Sequence, residues 1–441
     1  MPSEADEVGE DKDEADEDKL APRFLGNHVL SADAPPKHRH QQNDTMSAKD
    51  SEMIADAVLK SKKYLEDFKN IQLNIAITGE CGAGKSTFVN AFREIDCKDD
   101  EAAPTGEVET TMKAMPYPHP KLPNVTLWDL PGVGTTKFPA DKYLKHVKFE
   151  QFDFFIIVSA DRFSENDAKL AKEIMKMGKR FYFVRSKIDH NLRDAERSQR
   201  DYNKENKLQQ IRKSCIQGLE AQGMTSPRVF LVSSFDLHLY DFPALQDIME
   251  RELDTLKRDV LILALPNVSV STINKKKEVF RSQIKYYALL SAAVAIAPIP
   301  GLSVGVDIGI LVILLTTYVL VLGLDLKTLL KLSTTSNIPL ADIMAGCKCL
   351  CSGKEINAGL IIAMLGSLSL MISAAVLEEG SRLIPVLGCL IAATVSFTSI
   401  MFFLRFVLDS LCDDATYVLK KFKTNFQESS KQMVENAQGE N

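Results

Sequence analysis

Nine residues, Gly79-Glu80-Cys81-Gly82-Ala83-Gly84-Lys85-Ser86-Thr87, constrain the fold more than any other stretch of this chain. They match G-x-x-x-x-G-K-S, and they sit between a short apolar run, Leu73 to Gly79, and a helix-favouring segment, which is the context that motif requires. The glycines let the backbone bend around phosphate oxygens, and the amides from Gly82 to Thr87 are expected to point at them. The helix N-terminus beyond adds the positive end of its dipole. Lys85 is expected to reach the terminal phosphates and the Ser86 hydroxyl to offer itself to Mg²⁺. Gly79, Gly82, Ala83, Gly84 and Thr87 complete the expected phosphate cradle.

Apolar runs like the one before the loop recur at "NVTLWDL", "FDFFIIVSA", "RFYFVRSK" and "RVFLVSS". Charged, helix-favouring stretches such as "NDAKLAKEIMKMGK" and "NKLQQIRKSCIQGLEAQ" lie between several of them. Strand-helix alternation predicts an α/β fold, a mainly parallel sheet with helices on both faces. The alternation ends near Leu256, so residues 71–256 are read as one domain. Residues 257–441 carry long apolar stretches without it and are read as a mostly helical region. The spacing of Ile54, Val58, Leu65 and Phe68 predicts an amphipathic helix over 47–70, expected to pack with that region.

The formal net charge of −6 comes from one end. Residues 1–20 hold ten acidic and two basic side chains, which leaves the rest near +2. A chain so balanced is not expected to bind nucleic acid. Residues 1–46 hold too little apolar surface to offset the entropy of ordering and read as a disordered acidic tail. Eight cysteines, one of them inside the phosphate loop, and no secretory signal read at the N-terminus point to a reducing, cytoplasmic compartment.

The base is read from "RSKID". Ser186-Lys187-Ile188-Asp189 closes a predicted strand, and an N/T/S-K-x-D sequence there suits guanine. The Asp189 carboxylate can accept from both the ring N–H and the exocyclic amine, a donor pair that adenine lacks. The Lys187 stem would pack over the base. Amides near Ser233 and Ser234, in "VSSFD", would close over it. The nucleotide expected is therefore GTP or GDP. In "WDLPGV", Asp129 would hold Mg²⁺ through water and the Gly132 amide would contact the γ-phosphate. The next residue, Val133, stands where Ras-like GTPases place a water-orienting glutamine. The first switch falls within "APTGEVETTMKAMPYPHP", where Thr105, Thr110 and Thr111 compete to ligate Mg²⁺.

Read together, "GECGAGKSTFVNAFR", "APTGEVETTMKAMPYPHPKLPNVTLWDLPGVGTTKFPADKYL", "FDFFIIVSADRFSENDAKLA" and "FYFVRSKID" resemble the immunity-related GTPases, an interferon-inducible family. The resemblance is dense from about residue 47 to 275. It implies a Ras-like GTPase domain and a helical domain built from both chain ends. It also implies slow basal GTP hydrolysis, activation by GTP-dependent self-association through the nucleotide face, action at intracellular membranes, and related GTPases as further partners. Lys85 places the chain in the subgroup that keeps the phosphate-loop lysine. By motif alignment Thr111 takes the Mg²⁺ role, Thr105 is a second switch threonine, and Glu109 matches a glutamate associated with activation across the dimer. Two expectations follow for Val133. Either a second subunit completes catalysis, or the protein binds GTP with little turnover.

Three apolar stretches, Val304 to Leu324, Gly359 to Leu377 and Leu383 to Leu404, are each long enough to reach across a bilayer, which takes roughly 20 residues. They are expected to associate with membranes; insertion as true spans and a wholly buried helical core are the competing readings. Lys275 to Lys277 are read as a solvated face, with contact to anionic headgroups the alternative. "CKCLC" is read first as unmodified reduced thiols at Cys347, Cys349 and Cys351; acylation is the alternative, while zinc would want a fourth ligand.

Overall fold

Five of the apolar runs lie side by side as parallel strands. The structure, a computed structural model, describes residues 48–106, 113–133, 148–160, 163–296, 302–367 and 389–439. The predicted acidic tail lies outside them. The strands are β1 (Leu73–Thr78), β2 (Met115–His119), β3 (Leu122–Asp129), β4 (Phe154–Ser159), β5 (Arg180–Arg185) and β6 (Val229–Leu231). Their order is β2-β3-β1-β4-β5-β6. β1 pairs in parallel with β3 and β4, β4 with β5, and β5 with β6. β2 alone runs antiparallel, on β3. It carries Pro116 and Pro118, which an edge strand tolerates because it has N–H groups to spare.

Side chains on successive strand residues point to opposite faces, and both faces of this sheet are covered. On one face Ile75, Ile77, Val125, Leu127, Phe154, Ile156 and Val158 join a core that continues through Phe88, Phe242 and Val260 into the helical region. On the other, Ala76, Phe155, Ile157, Phe183 and Leu231 meet Leu170, Ile174 and Leu219. Two-sided burial is why these strands read as unbroken apolar runs instead of alternating ones.

The helices that follow the strands are α2 (Lys85–Phe92), α3 (Glu165–Lys176), α4 (Ile188–Ser198), α5 (Lys204–Glu220), α6 (Phe242–Arg251) and α7 (Thr255–Ala264), after an N-terminal α1 (Ala48–Asn70). α7 packs on β1 and β3. Beyond it come α8 (Val270–Ile296), α9 (Leu302–Val321), α10 (Leu326–Ser336), α11 (Leu340–Met344), α12 (Ala358–Ser367) and α13 (Cys389–Gly439). α8 is the hub, contacting α1, α7, α9 and α13. Tyr64 of α1 stacks on Tyr286 of α8 at 4.2 Å between ring centroids, so helices from both ends of the chain do meet.

Among the described residues one apolar stretch, Ile308–Ser336, is long and apolar enough to cross a membrane, and half of its most apolar window is buried in the protein. Leu314, Leu315, Tyr318, Val319 and Leu322 lie in the same core as the sheet, while Ile313 and Leu320 are exposed. The chain turns at Gly323 (φ 70°), and the Asp325 side chain caps α10 by accepting from Thr328 N–H. The other two expected stretches fall partly outside the described residues, at 368–377 and 383–388.

Candidate nucleotide site

β1 ends under the phosphate loop, and the loop's shape is forced by its neighbours. Gly79 has φ 139°, and a Cβ there would lie 2.0 Å from the Val158 carbonyl oxygen of β4. Gly84 caps α2 with φ 90° in the left-handed region. At Gly82 (φ 75°) a Cβ would meet nothing within 4 Å, so that side of the loop faces open space. Lys85, 7% exposed, folds back to donate to the Glu80 carbonyl at 2.9 Å. Thr87 is half-buried one residue beyond Ser86.

At the start of α2 the Ser86 hydroxyl donates to Asp129 Oδ2 at 2.5 Å. Asp129 closes β3 and is fully buried. A hydroxyl and a carboxylate, both hard oxygen donors meeting at a helix N-terminus, suit a hydrated Mg²⁺, so the residues present fit that ion. Gly132 lies against the loop, where a Cβ would approach Cys81 N to 2.9 Å.

Val133 turns away from all of this. Its N–H donates to the Gly79 carbonyl at 3.1 Å. Its side chain, 2% exposed, belongs to the core beneath the sheet with Ala76, Leu130 and Phe155. The position of the usual glutamine is here a core position.

The base-reading segment is locked to the phosphate loop. Ser186 Oγ donates to the Ala83 carbonyl (2.7 Å) and contacts the Ser159 carbonyl (3.0 Å). Lys187 sits in the left-handed region (φ 54°) as the N-cap of α4. That conformation brings its stem to the phosphate loop, since a Cβ on Gly84 would lie 4.0 Å from Lys187 Cε. Asp189 follows in the first turn of α4 and accepts from Arg193 Nη2 at 2.8 Å. Ser233 is fully buried and its hydroxyl has no hydrogen-bond partner among the described residues. Ser234 and the exposed Phe235 follow it. Burial and the nearby Asp189 carboxylate hold the Asp236 carboxyl above its usual range.

Behind the loop stands a pair of contacts that sequence spacing does not reveal. Asn166 Nδ2 donates to Glu80 Oε1 at 2.8 Å. Asp167, 1% exposed, accepts from Ser159 Oγ at 2.7 Å and from the Ser164 N–H at the start of α3. Burial raises its carboxyl to about 6. The expected Thr105, in the first-switch segment, is exposed. Glu109, Thr110 and Thr111 lie outside the described residues, so the switch threonines are not placed beside Ser86.

A strand-loop-helix phosphate cradle, a D-x-P-G corner and an S-K-x-D segment on a mainly parallel sheet define a P-loop GTPase. The family model for interferon-inducible GTPase (IIGP) matches residues 39–422, and the chain belongs to that family. Its relatives include the rat interferon-inducible GTPase 5, 38% identical over 369 residues, 83% of this chain and 79% of that one. The mouse T-cell-specific guanine nucleotide triphosphate-binding protein 2 is 47% identical over 247 residues; the match spans 56% of this chain and about 60% of that protein. The mouse interferon-inducible GTPase 1 is 39% identical over 282 residues, 64% of this chain and 68% of the other.

Proposed function

We propose that this GTPase is a nucleotide-driven assembly switch of cell-autonomous immunity. It binds GTP with Mg²⁺, self-associates through its nucleotide face, hydrolyses GTP slowly until assembled, and acts from the cytoplasm on intracellular membranes.

The observation that carries this reading is the placement of Val133. The phosphate cradle, Lys85 and the Ser86–Asp129 pair are preorganised, yet the usual water-orienting position is a core side chain. Stabilising charge in the transition state then depends on groups brought in by ordering the switches. A second copy docked over the nucleotide supplies that order and excludes water. Lys85 would hold the terminal phosphates, the Gly132 amide would donate to the γ-phosphate, and Thr105 would serve as a second switch threonine. Ser86, Asp129 and Thr111 would hold Mg²⁺, which when bound neutralises charge on the phosphate oxygens. Asp189 would read guanine and Lys187 would cover its face. In the bound state Asp189 exchanges part of its pairing with Arg193 for the base. Ser233 and Ser234 close the base pocket. Glu109 is assigned across the dimer on the family resemblance, and related GTPases are further partners on the same ground.

The test is GTP turnover per molecule across a range of protein concentrations, with light scattering in parallel. Specific activity that rises with concentration while particles grow is the expected result. Flat, near-zero turnover despite tight GTP binding would overturn it and leave a nucleotide-gated scaffold.

A further inference from the structure

The cysteine tract between α11 and α12 is built around a buried carboxylate. Asp414 of α13 is 1% exposed. It accepts the Lys348 N–H at 2.8 Å, the Cys349 N–H at 2.9 Å and the Ser352 hydroxyl at 2.8 Å. The chain closes a turn over this anchor, with Ser352 N–H donating to the Cys349 carbonyl at 3.2 Å. Gly346, just before, sits against the Tyr417 ring, where a Cβ would lie 2.1 Å away. The segment therefore has one defined conformation.

Within that turn Cys349 and Cys351 lie two residues apart, on either side of the exposed Leu350. A turn keeps its first and fourth Cα atoms within about 7 Å. Residues at its first and third positions thus fall in the range of about 4.4–6.8 Å that a disulfide spans. The two sulfurs differ in setting. Cys351 is fully buried with its Sγ 3.4 Å from Met364 Sδ. Cys349 is half-buried. The neighbouring Cys351 and the Ser410 hydroxyl hold its thiol below the usual range, against burial and the Asp414 charge. Cys347 points elsewhere, toward the Ile343 carbonyl at 3.7 Å. No cluster of three or more metal-ligating side chains occurs among the described residues, so zinc does not account for the tract.

We propose that Cys349 and Cys351 form a dithiol that a hydroperoxide oxidises to an intramolecular disulfide, with Cys349 the attacking thiolate and Cys351 the resolving thiol. The Cys349 sulfur attacks one peroxide oxygen. The O–O bond breaks, hydroxide leaves and takes a solvent proton, and Cys349 becomes a sulfenic acid. The Cys351 sulfur then attacks the Cys349 sulfur, the S–O bond breaks, and the departing oxygen leaves as water with the Cys351 proton. One peroxide is reduced to water and two thiols are oxidised to one disulfide. Access decides which sulfur attacks first: Cys349 is half-buried and reaches solvent, whereas Cys351 is fully buried and is left to resolve.

The experiment titrates the reduced, GDP-loaded full chain with hydrogen peroxide, blocks free thiols with an alkylating reagent, and maps them by mass spectrometry. The tract peptide is expected to become about two mass units lighter and resistant to alkylation until reduced. Dimedone is expected to trap Cys349 in the Cys351→Ser variant, and Cys349→Ser is expected to leave Cys351 fully alkylated. Nucleotide binding by both variants checks that they fold, and the wild-type map stands without them. Full alkylation of Cys349 and Cys351 at peroxide levels that oxidise the exposed Cys81 and Cys97 would overturn the proposal. So would a disulfide joining Cys347 to either of them.

Discussion

Val133 shows how one residue's environment decides what its position can do. Its side chain is packed among Ala76, Leu130, Phe155 and Ile157, and its N–H is committed to Gly79. Val133→Gln would bury an amide where valine now sits, at a cost of about 1–3 kcal/mol in stability. Single-turnover hydrolysis at saturating GTP is expected to stay level or fall. A rise of about tenfold, roughly 1.4 kcal/mol off the barrier, would mean that the backbone can turn this position to the nucleotide. The sequence showed that a glutamine was missing. It did not show that the position faces the core, because a valine in a loop carries no mark of which way it points.

Among the elements, the phosphate loop was legible because its chemistry is local. Strand, glycines and Lys-Ser follow one another within 15 residues of chain, Leu73 to Thr87. The five parallel strands were equally plain, since burial on both faces makes each an apolar run. β2 was hidden because Met115-Pro116-Tyr117-Pro118-His119 has two prolines; only pairing to β3 at the sheet edge makes it a strand. The Glu80–Asn166 contact was illegible, its partners being 86 residues apart. Arg193 was within reach, since it follows Asp189 by one helical turn and the spacing alone brings the two together. The loop's glycines separate two roles. Gly79→Ala forces a Cβ into the Val158 carbonyl and is expected to cost about 3 kcal/mol or more. Gly82→Ala meets only open space and is expected to cost about 1 kcal/mol for its left-handed backbone. Thermal melts should rank the two in that order, while binding of a fluorescent GDP analogue should weaken in both. A Gly79→Ala variant as stable as the wild type would refute the loop geometry.

For the molecule as a whole, the end of the phosphate-loop helix is tied to everything around it. Arg93 donates to the Pro118 carbonyl of β2 at 3.1 Å and lies over the Tyr117 ring. Glu94 pairs with Lys121, accepts from the Asn267 N–H, and its carbonyl accepts Lys331 Nζ of α10 at 2.9 Å. Close by, Lys276 of α8 is buried with its Nζ donating to the Val321 carbonyl at 3.0 Å. On the far side, His238 in the loop after β6 packs edge-on against Phe422 and Phe426 of α13. Nucleotide loops and helical region thus share their contacts. The buried groups at this junction also set its pH response. Burial, then the Lys121 charge, push His119 from its ordinary 6.5 down to about 3. Burial lowers Lys276 to about 7. Both side chains are more readily protonated unfolded than folded. As pH falls below about 6.5 the unfolded chain takes up a proton that native His119 refuses, so its contribution to stability is present above pH 6.5 and is lost progressively toward pH 3. Lys276 acts the same way between its ordinary 10.5 and about 7, so that below pH 7 its share is already lost. Denaturant melts between pH 7 and pH 4 should therefore show the His119 share of stability declining with acid, offset below about pH 6 by Asp167, whose raised carboxyl takes up a proton more readily folded than unfolded. His119→Gln, which cannot take up that proton in either state, should decline less steeply by close to one proton's worth of slope. Equal slopes for the two proteins would mean that His119 protonates in the native state, and the junction would not be closed to water as drawn.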